Sequence, residues 1–528
     1  MPSKAAKRRQ LARERDSIQV LIPQRVEQPI SAIADLGPTN SGKTHDALDF
    51  LVQERLGTFA APLRMLALEG YEKIREQVGD DMVGLRTGEE RINPDAPILC
   101  CTAELAPMRG HVLVLDEVHW AADSQRGFAW TRLLAGAEYN HLRLLGAPDA
   151  LPLLRSCFGD RLQVVSHERL GPLTWNGAVT TSQLQPGDVI VAFSRRSVLY
   201  IAGQLARQFG PGRVAALYGA MPPSSRRAEL RRVREGQADF TVATDVLGHG
   251  LNLPCRRILF AETAKFDGEG RRDLHAWEAA QIAGRAGRFG LHPEGFVGVL
   301  DDLHFFHPDP RTAKRGLTPK ADVGEGLRGF REVTRGSLRP TLDDLNVQSP
   351  DRLTAALSGW RDRARKELAG HEWVRAEDIT PLLDRAGVVG GTLRTRLNTL
   401  TVQQLWSLAI SPIDPDQDQD RALLVAMART LAGHRGLLKA FAPSRVQNLP
   451  LAEAETIARQ ASQLRWFAGL YPDHSDVSYE QAADLEERAA SQVTKRLKEQ
   501  LRNPPGSECR NCGRACAPWY QYCDRCAW

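Results

Sequence analysis

The run GPTNSGKT at residues 37–44 has the residue types and the spacing that bind nucleotide phosphates. It matches the pattern G-x-x-x-x-G-K-[S/T] and lies, as that pattern requires, between an apolar strand-like run and a helical pattern. Backbone N–H groups at the start of such a helix bind phosphates, a lysine neutralises the β and γ groups, and a hydroxyl ligates Mg²⁺. The sequence therefore predicts a nucleotide-binding loop, formed by Gly37, Asn40, Ser41, Gly42, Lys43 and Thr44.

Two carboxylates follow another apolar run in the stretch VLVLDEVHW. Ligands of α/β proteins bind at the C-terminal ends of parallel strands, where Asp116 and Glu117 would lie. We predict that Asp116 ligates Mg²⁺ together with Thr44, and that Glu117 orients and deprotonates the attacking water. An acidic pair after a strand is also a common helix N-cap, so this prediction depends on the loop at 37–44.

Small residues and arginines alternate in QIAGRAGRFG, residues 281–290. Nucleotide hydrolysis builds negative charge at the γ-phosphate, and an arginine supplied by another element accelerates it by about 10³- to 10⁵-fold. We predict that Arg285 and Arg288 reach the phosphates from a second domain, across a cleft. An isolated G-R-x-G-R is by default a salt-bridged surface turn, and the pattern alone leaves that alternative open.

The order of apolar runs predicts how these groups are positioned. Strand-like runs alternate with helical patterns from about residue 29 to 165 and again from VIVAFS to FVGVL, which predicts two α/β units with parallel sheets. Long helical stretches then dominate up to about Arg502. The predicted boundaries are 1–28 for a basic arm, 29–168 and 169–303 for the two α/β domains, 304–504 for an all-helical domain, and 505–528 for a cysteine-rich tail.

Composition limits the class of protein and its surroundings. The 528 residues carry a formal net charge of +5, and no apolar run approaches the roughly 20 residues of a membrane-spanning helix. Six basic and two acidic side chains lie in the first sixteen residues, which we interpret as a disordered arm with weak phosphate affinity. This predicts a soluble cytoplasmic protein of bacterial type, with the mitochondrial matrix as the alternative if the arm is a transit peptide.

Five of the nine cysteines fall within the last twenty residues. Two C-x₂-C pairs ten residues apart present four thiolates at the spacing of a tetrahedral Zn²⁺ site, and no signal peptide suggests an oxidising compartment. The predicted ligands are Cys509, Cys512, Cys523 and Cys526, with Cys516 left as a spare thiol or alternative ligand. Aromatic and arginine residues in this zinc ribbon suit stacking on unpaired bases, but docking of a protein such as a nuclease, or packing around the metal alone, stays open.

Eight runs in order resemble the successive motifs of superfamily 2 helicases, and most closely those of the Suv3-like branch of ATP-dependent RNA helicases. The resemblance extends from about Ile33 to Arg502 and implies two tandem RecA-like domains followed by a helical domain. The runs are GPTNSGKT, APLRMLALEG, LRTGEERI, CTAEL, DEVH, LYGAMPP, VATDVLGHGLNLP and QIAGRAGRFG.

The resemblance also implies roles for individual residues. It places Gln281 against His119 across the cleft and makes Arg285 and Arg288 the γ-phosphate arginines. The residues implied along the backbone of a single nucleic-acid strand are Pro62, Arg64, Thr87, Thr102, Ser194 and Thr244, and those implied to couple that strand to the nucleotide are Asp245, Gly248 and Gly250. His119 and His249 stand where the mitochondrial members usually have Gln and Met, which leaves the nucleic-acid preference open.

The activity implied is hydrolysis of Mg²⁺-ATP coupled to translocation along RNA and its unwinding, in the 3′ to 5′ direction. A DNA or dual-specificity helicase is one alternative, and an ATP-gated RNA clamp or a nuclease-recruiting adaptor is another. The Asp-Gly turn in AKFDGEGRRDL, residues 264–274, predicts a short hairpin. Such a hairpin favours unwinding if it separates strands, although a plain surface connection fits the pattern equally well.

Overall fold

A computed structural model defines the fold of most of the chain. Arg288, Gly248, His249, Gly250 and the four predicted zinc cysteines lie outside the residues that it describes. Those residues are 21–23, 25–88, 90–123, 126–245, 255–266, 271–274, 276–287, 294–300, 333–502, 507–508 and 515–516.

The first unit is a sheet of eight strands in the order β4-β3-β5-β2-β6-β7-β1-β8, parallel except where the short β4 pairs with β3. Every residue of β2 and of β5 is buried, as expected for central strands covered on both faces. The strands are β1 Ser31–Leu36, β2 Gly57–Ala61, β3 Val83–Arg86, β4 Arg91–Ile92, β5 Ile98–Thr102, β6 Arg109–Leu115, β7 Glu138–Gly146 and β8 Leu162–Ser166. The helices are α1 Lys43–Glu54, α2 Arg64–Val78, α3 Gly127–Gly136 and α4 Leu151–Phe158.

The second unit is a parallel sheet of six strands in the order β11-β12-β10-β13-β16-β9. An antiparallel hairpin, β14 and β15, extends from it. The strands are β9 Leu173–Val179, β10 Asp188–Val191, β11 Val214–Leu217, β12 Phe240–Ala243, β13 Arg257–Phe260, β14 Ala264–Phe266, β15 Arg271–Asp273 and β16 Gly295–Leu300. The helices are α5 Arg195–Phe209, α6 Pro223–Arg234 and α7 Ala276–Ala283.

The described residues 333–502 are mainly helical, with one parallel pair of short strands, β17 Gly336–Leu338 and β18 Val374–Ala376. Leu497 and Leu501 of its last helix belong to the hydrophobic core of the second unit. The helices are α8 Leu342–Leu345, α9 Leu353–Glu367, α10 Thr380–Leu393, α11 Val402–Ala409, α12 Asp418–Leu431, α13 Leu451–Leu470 and α14 Tyr479–Arg502. The predicted fold class of two tandem RecA-like parallel sheets followed by helices is confirmed, while the exact domain boundaries and the zinc ribbon stay predictions.

The basic arm differs from the prediction at its C-terminal end. Leu21 and Ile22 are buried in the core of the helical region. The Arg25 guanidinium donates hydrogen bonds to the carbonyls of Ala137 (2.7 Å) and Leu134 (3.0 Å) in the first unit. The prediction of a disordered arm up to residue 28 therefore fails for these residues, because the charge count gave no weight to the apolar run VLI. Among the described residues, no helix is long and apolar enough to span a membrane.

Candidate nucleotide and nucleic-acid site

The predicted phosphate-binding loop lies between β1 and α1, at the carboxyl edge of the first sheet. Asn40 and Gly42 have positive φ angles of 64° and 84°, which turn the chain into the first turn of α1. The Lys43 ammonium is buried and donates to the carbonyls of Gly37 (3.3 Å) and Pro38 (3.1 Å). The buried Ser41 hydroxyl has no hydrogen-bond partner among the described residues. A phosphate would supply the anionic acceptor that this ammonium and hydroxyl lack.

Asp116 and Glu117 lie directly after β6, on the same edge of the sheet as the loop. The Asp116 carboxylate accepts a hydrogen bond from the backbone N–H of Glu117 (3.0 Å) and is only 4% exposed. Burial, and then the charge of Glu117, raise the pKa of Asp116 to about 7, against the opposing charges of Lys43 and Arg285. A carboxylate kept this far from water is stabilised in its ionised form by a cation bound beside it.

The residues predicted to hold Mg²⁺ fit that ion in their chemistry. Thr44 and Asp116 line one cavity together with the phosphate-binding loop. They offer hydroxyl and carboxylate oxygens, and Mg²⁺ in nucleotide sites takes few protein ligands because phosphate oxygens and water complete its shell. Among the described residues, no group of three or more His, Cys, Asp or Glu side chains is placed to hold a metal.

The second unit faces this cavity with α7 and the turn that follows it. Gln281 Nε2 lies 3.1 Å from His119 Nε2, so the two residues meet as the resemblance implied. Burial lowers the pKa of His119, despite the neighbouring Glu117, and a neutral imidazole is the form that accepts a hydrogen bond from the amide. Arg285 Nη2 lies 4.0 Å from Glu117 Oε1, which places a guanidinium opposite the predicted catalytic carboxylate.

Small residues in the turn after α7 allow the two units to approach. The Asn40 side-chain amide donates to the carbonyl of Gly287 (2.6 Å), across the cleft. Gly284 faces Thr39 so closely that a Cβ at position 284 would stand 2.9 Å from the Thr39 Cβ. The nucleotide cavity is therefore lined from both units, by the loop, Asp116 and Glu117 on one side and by Gly284 and Arg285 on the other.

The contact at Gly284 predicts a graded effect. Gly284→Ala is expected to lower kcat for nucleotide hydrolysis by about tenfold to 10²-fold, because the added methyl group pushes Arg285 back from the loop by a fraction of an ångström. Steady-state hydrolysis and nucleotide Kd should be measured together. Thr39→Gly removes the opposing Cβ. In that background, Gly284→Ala should therefore lower kcat by less than it does in the wild-type protein. Equal loss in both backgrounds would contradict a steric cause.

The six residues predicted to follow a nucleic-acid strand lie at or just beyond the carboxyl ends of parallel strands. Pro62 and Arg64 follow β2, Thr87 follows β3, and Thr102 is the last residue of β5. Ser194 follows β10, where its hydroxyl caps α5 by accepting from the N–H of Ser197 (2.9 Å), and Thr244 follows β12. The structure thus groups all six at the carboxyl edges of the two sheets, and their contact with nucleic acid stays a prediction.

Asp245 is linked to α7 through Lys265 of β14. Lys265 of β14 lies with its ammonium 3.2 Å from a carboxylate oxygen of Asp245 and 2.6 Å from one of Glu278 on α7. Arg272 of β15 donates to the same Glu278 carboxylate at 2.8 and 3.0 Å. The two strands of the hairpin predicted at 264–274 are therefore present as an antiparallel pair, while its turn, residues 267–270, lies outside the described residues. Ion pairs join these strands to Asp245 and to the helix that carries Gln281.

Sequence analysis missed Arg169, which lies in the connection between β8 and β9. Its guanidinium contacts both sides of the cleft, as detailed below. Lys265 and Glu278 were missed as well. Arg169 and Glu278 fall in no recognisable motif, and Lys265 lies in a run that predicted only a hairpin. The partners of the three residues lie between 6 and 130 residues away in the chain, so no local signal marks these contacts.

Family comparisons agree with the two units that the structure shows. Residues 24–167 match the model of the DEXQ-box helicase domain of Suv3, and residues 175–290 match that of the helicase conserved C-terminal domain. Both models describe helicase domains, so each half of the site lies in a region that is similar to one. The position that gives the first model its DEXQ name holds His119 in this chain.

The curated relatives that match this chain are named as ATP-dependent RNA helicases. The chain is 36% identical over 302 residues to the mitochondrial ATP-dependent RNA helicase SUV3L of rice, covering 54% of this chain and 41% of that protein. It is 36% identical over 313 residues to the mitochondrial DExH-box ATP-dependent RNA helicase DExH16 of Arabidopsis thaliana, covering 56% and 54%. The chain thus spans about half the length of these relatives. The crystal structure of the Escherichia coli helicase HrpB is similar at 17% identity and a TM-score of 0.49, covering 91% of this chain and 62% of its own.

Proposed function

We propose that this protein is an ATP-dependent RNA helicase. The observation that carries the proposal is the meeting of two half-sites across the cleft, with Arg285 Nη2 of the second unit 4.0 Å from Glu117 Oε1 of the first. Each half alone has structural explanations, such as an N-cap or a surface turn. Together with the loop at 37–44 they form the arrangement that phosphoryl transfer needs, in which positioning and charge stabilisation supply most of the acceleration.

Each side chain of the site has a separate role in the proposed hydrolysis. Lys43, Ser41 and the N–H groups at the start of α1 bind the phosphates. Thr44 and Asp116 would hold Mg²⁺, which would supply positive charge beside the phosphates. Glu117 orients the attacking water and takes its proton, while Gln281 and His119 hold the two units in register. Arg285 stabilises the negative charge that develops on the γ-phosphate, and we assign the same role to Arg288 by family resemblance.

RNA is the proposed substrate because the relatives are named RNA helicases and the edge residues suit a phosphate backbone. Hydroxyls and an arginine at Arg64, Thr87, Thr102, Ser194 and Thr244 bind phosphates without reading bases, as translocation along any sequence requires. We propose movement in the 3′ to 5′ direction, with the hairpin at 264–274 at the strand junction. The ion pairs of Lys265 would then couple this hairpin to Asp245 and to α7.

Hydrolysis and unwinding should be measured side by side on RNA and DNA duplexes that carry either a 3′ or a 5′ overhang. The expected result is RNA-stimulated hydrolysis and unwinding of the RNA duplex with the 3′ overhang, both absent in Glu117→Gln. Equal unwinding of DNA would instead indicate a dual-specificity enzyme. Stimulated hydrolysis with no unwinding of any duplex would favour an ATP-gated RNA clamp.

The cysteine tail is proposed to bind Zn²⁺. Ser507–Glu508 and Ala515–Cys516 pair as two antiparallel strands, and they flank the first C-x₂-C pair, Cys509 and Cys512. A hairpin of that kind supports a zinc ribbon, whose metal would fold a tail too short to bury a core. We propose unpaired RNA as its ligand, with a nuclease or other protein as the alternative partner. The names of the relatives support a mitochondrial location, and the matrix and the bacterial cytoplasm both stay predictions.

A further inference from the structure

Arg169 contacts both halves of the nucleotide site from the segment that connects the two units. Its Nη1 donates to the carbonyl of Thr39 in the phosphate-binding loop (2.8 Å) and to the carbonyl of Gly284 in the turn after α7 (2.8 Å). Its Nη2 donates to the carbonyl of Ala286 in the same turn. One guanidinium therefore joins the loop that holds the phosphates to the turn that bears the catalytic arginine.

The two carbonyls on the second unit belong to the residues immediately before and after Arg285. Holding both of them fixes the backbone from which the Arg285 side chain extends. The third carbonyl, of Thr39, precedes Asn40 in the loop, and the Asn40 amide in turn donates to Gly287 (2.6 Å). Arg169 and Asn40 thus both tie the phosphate-binding loop to the turn that carries Arg285.

The connecting segment is itself anchored to both units. The backbone N–H groups of His167 and Leu170 donate to the carbonyls of Leu36 (2.7 Å) and Asn40 (3.0 Å) in the first unit. The N–H of Gly295 in the second unit donates to the carbonyl of Pro172 (2.9 Å). Arg169 therefore extends from a short stretch whose ends are tied to opposite sides of the cleft, so opening of the cleft must break its bonds to one side.

We propose that Arg169 is a positioning residue that latches the cleft in its closed, hydrolysis-competent state and places Arg285 opposite the γ-phosphate. This inference rests on the proposed ATPase function, because Arg169 acts through Arg285 and does not itself face Glu117 or Lys43 in any described contact. The side chain suits the task. A guanidinium has five donors in a rigid fork and always carries its charge, so it can bind three carbonyls in fixed directions.

Replacement of Arg169 tests whether this residue holds the cleft closed or instead contributes to nucleotide binding by the loop. Arg169→Ala is expected to lower kcat by on the order of 10²-fold, because Arg285 is no longer held within ångströms of its working position. Nucleotide Kd should rise by much less than kcat falls, since Lys43 and the N–H groups of α1 bind phosphates without the second unit. Arg169→Lys keeps the charge but lacks the fork, so it should resemble Arg169→Ala. Arg161→Ala, at an exposed arginine eight residues earlier, serves as the matched control.

Cleft closure should be followed directly in the full-length protein, by fluorescence transfer between dyes at the exposed Glu76 of α2 and Gln208 of α5. The probe is Mg²⁺ with a non-hydrolysable ATP analogue. The expected result is nucleotide-induced closure in the wild type and in Arg161→Ala, with a smaller closed fraction in Arg169→Ala and Arg169→Lys. Normal folding of each variant is checked by thermal unfolding.

The outcomes separate the latch from the proposed function. Wild-type kcat and closure in Arg169→Ala would overturn the latch, and so would a loss of nucleotide binding that matches the loss of kcat. If the wild-type protein hydrolyses ATP no faster than Glu117→Gln, the proposed function fails. The closure measurement then still reports on the latch, because it requires nucleotide binding but no hydrolysis.

Discussion

Replacement of Arg285 by alanine is expected to slow ATP hydrolysis by about 10³- to 10⁵-fold while nucleotide binding survives. The Arg285 guanidinium lies opposite Glu117, on the side of the cavity that the second unit lines. Its charge is therefore needed where negative charge appears during the reaction, and little of the ground-state binding depends on it. Arg288→Ala is expected to act in the same way by family resemblance.

Single-turnover hydrolysis and nucleotide Kd, measured on the same preparations, provide the check. Arg285→Lys keeps a positive charge without the planar fork and should recover only a small part of the rate. Arg207→Ala, at an exposed arginine of α5 in the same unit, controls for a general loss of charge and should behave as wild type. If Arg285→Ala instead abolishes nucleotide binding and leaves turnover of the bound fraction intact, the arginine has a binding role and the assignment is wrong.

Glu117→Gln is expected to lower kcat by about 10²- to 10⁴-fold, the usual contribution of a general base. Nucleotide affinity should hold or rise, because the substitution removes a negative charge from beside the phosphates. The substitution should also change the pKa of the neighbouring Asp116 carboxyl. Since the charge of Glu117 contributes to the raised pKa of Asp116, the pKa of Asp116 should fall in the variant.

For this variant we would measure the rate of hydrolysis, the nucleotide Kd and the dependence of the hydrolysis rate on Mg²⁺ concentration. Glu54→Gln is a matched control, because Glu54 ends α1 and pairs with His111 (3.0 Å) away from the cavity. That variant should hydrolyse ATP at the wild-type rate. A Glu117→Gln protein with near-normal kcat would assign the proton transfer to another group and leave Glu117 as a helix cap.

Local patterns sufficed for the parts of the site that lie within one motif. The loop at 37–44 and the pair at 116–117 each follow a continuous apolar strand, so sequence alone predicted both their type and the edge of the sheet where they lie. Strand β9 was missed because its residues alternate between half-buried and exposed at the edge of the sheet, with a left-handed Gly177 in the second half. An edge strand with one solvent-exposed face lacks the continuous apolar run that is typical of central strands.

Contacts between residues that only the tertiary structure brings together could not be predicted from the sequence. Arg169 bonds to carbonyls 115 to 130 residues away, and carbonyl acceptors belong to every residue type. Lys265, Glu278 and Asp245 meet because a hairpin folds back on α7, which no spacing rule describes. The arginine motif itself was predictable, but its distance to Glu117 depends on how the two units pack.

The burial of Leu21 and Ile22 also sets a limit on how the N-terminus can be shortened. These two side chains fill the core of the helical region, and Arg25 holds the following residues against the first unit. Any maturation cut that removes a targeting peptide must therefore fall upstream of residue 21. A peptidase site, an affinity tag or a truncation placed at the predicted boundary of residue 28 would strip a buried segment from the finished protein.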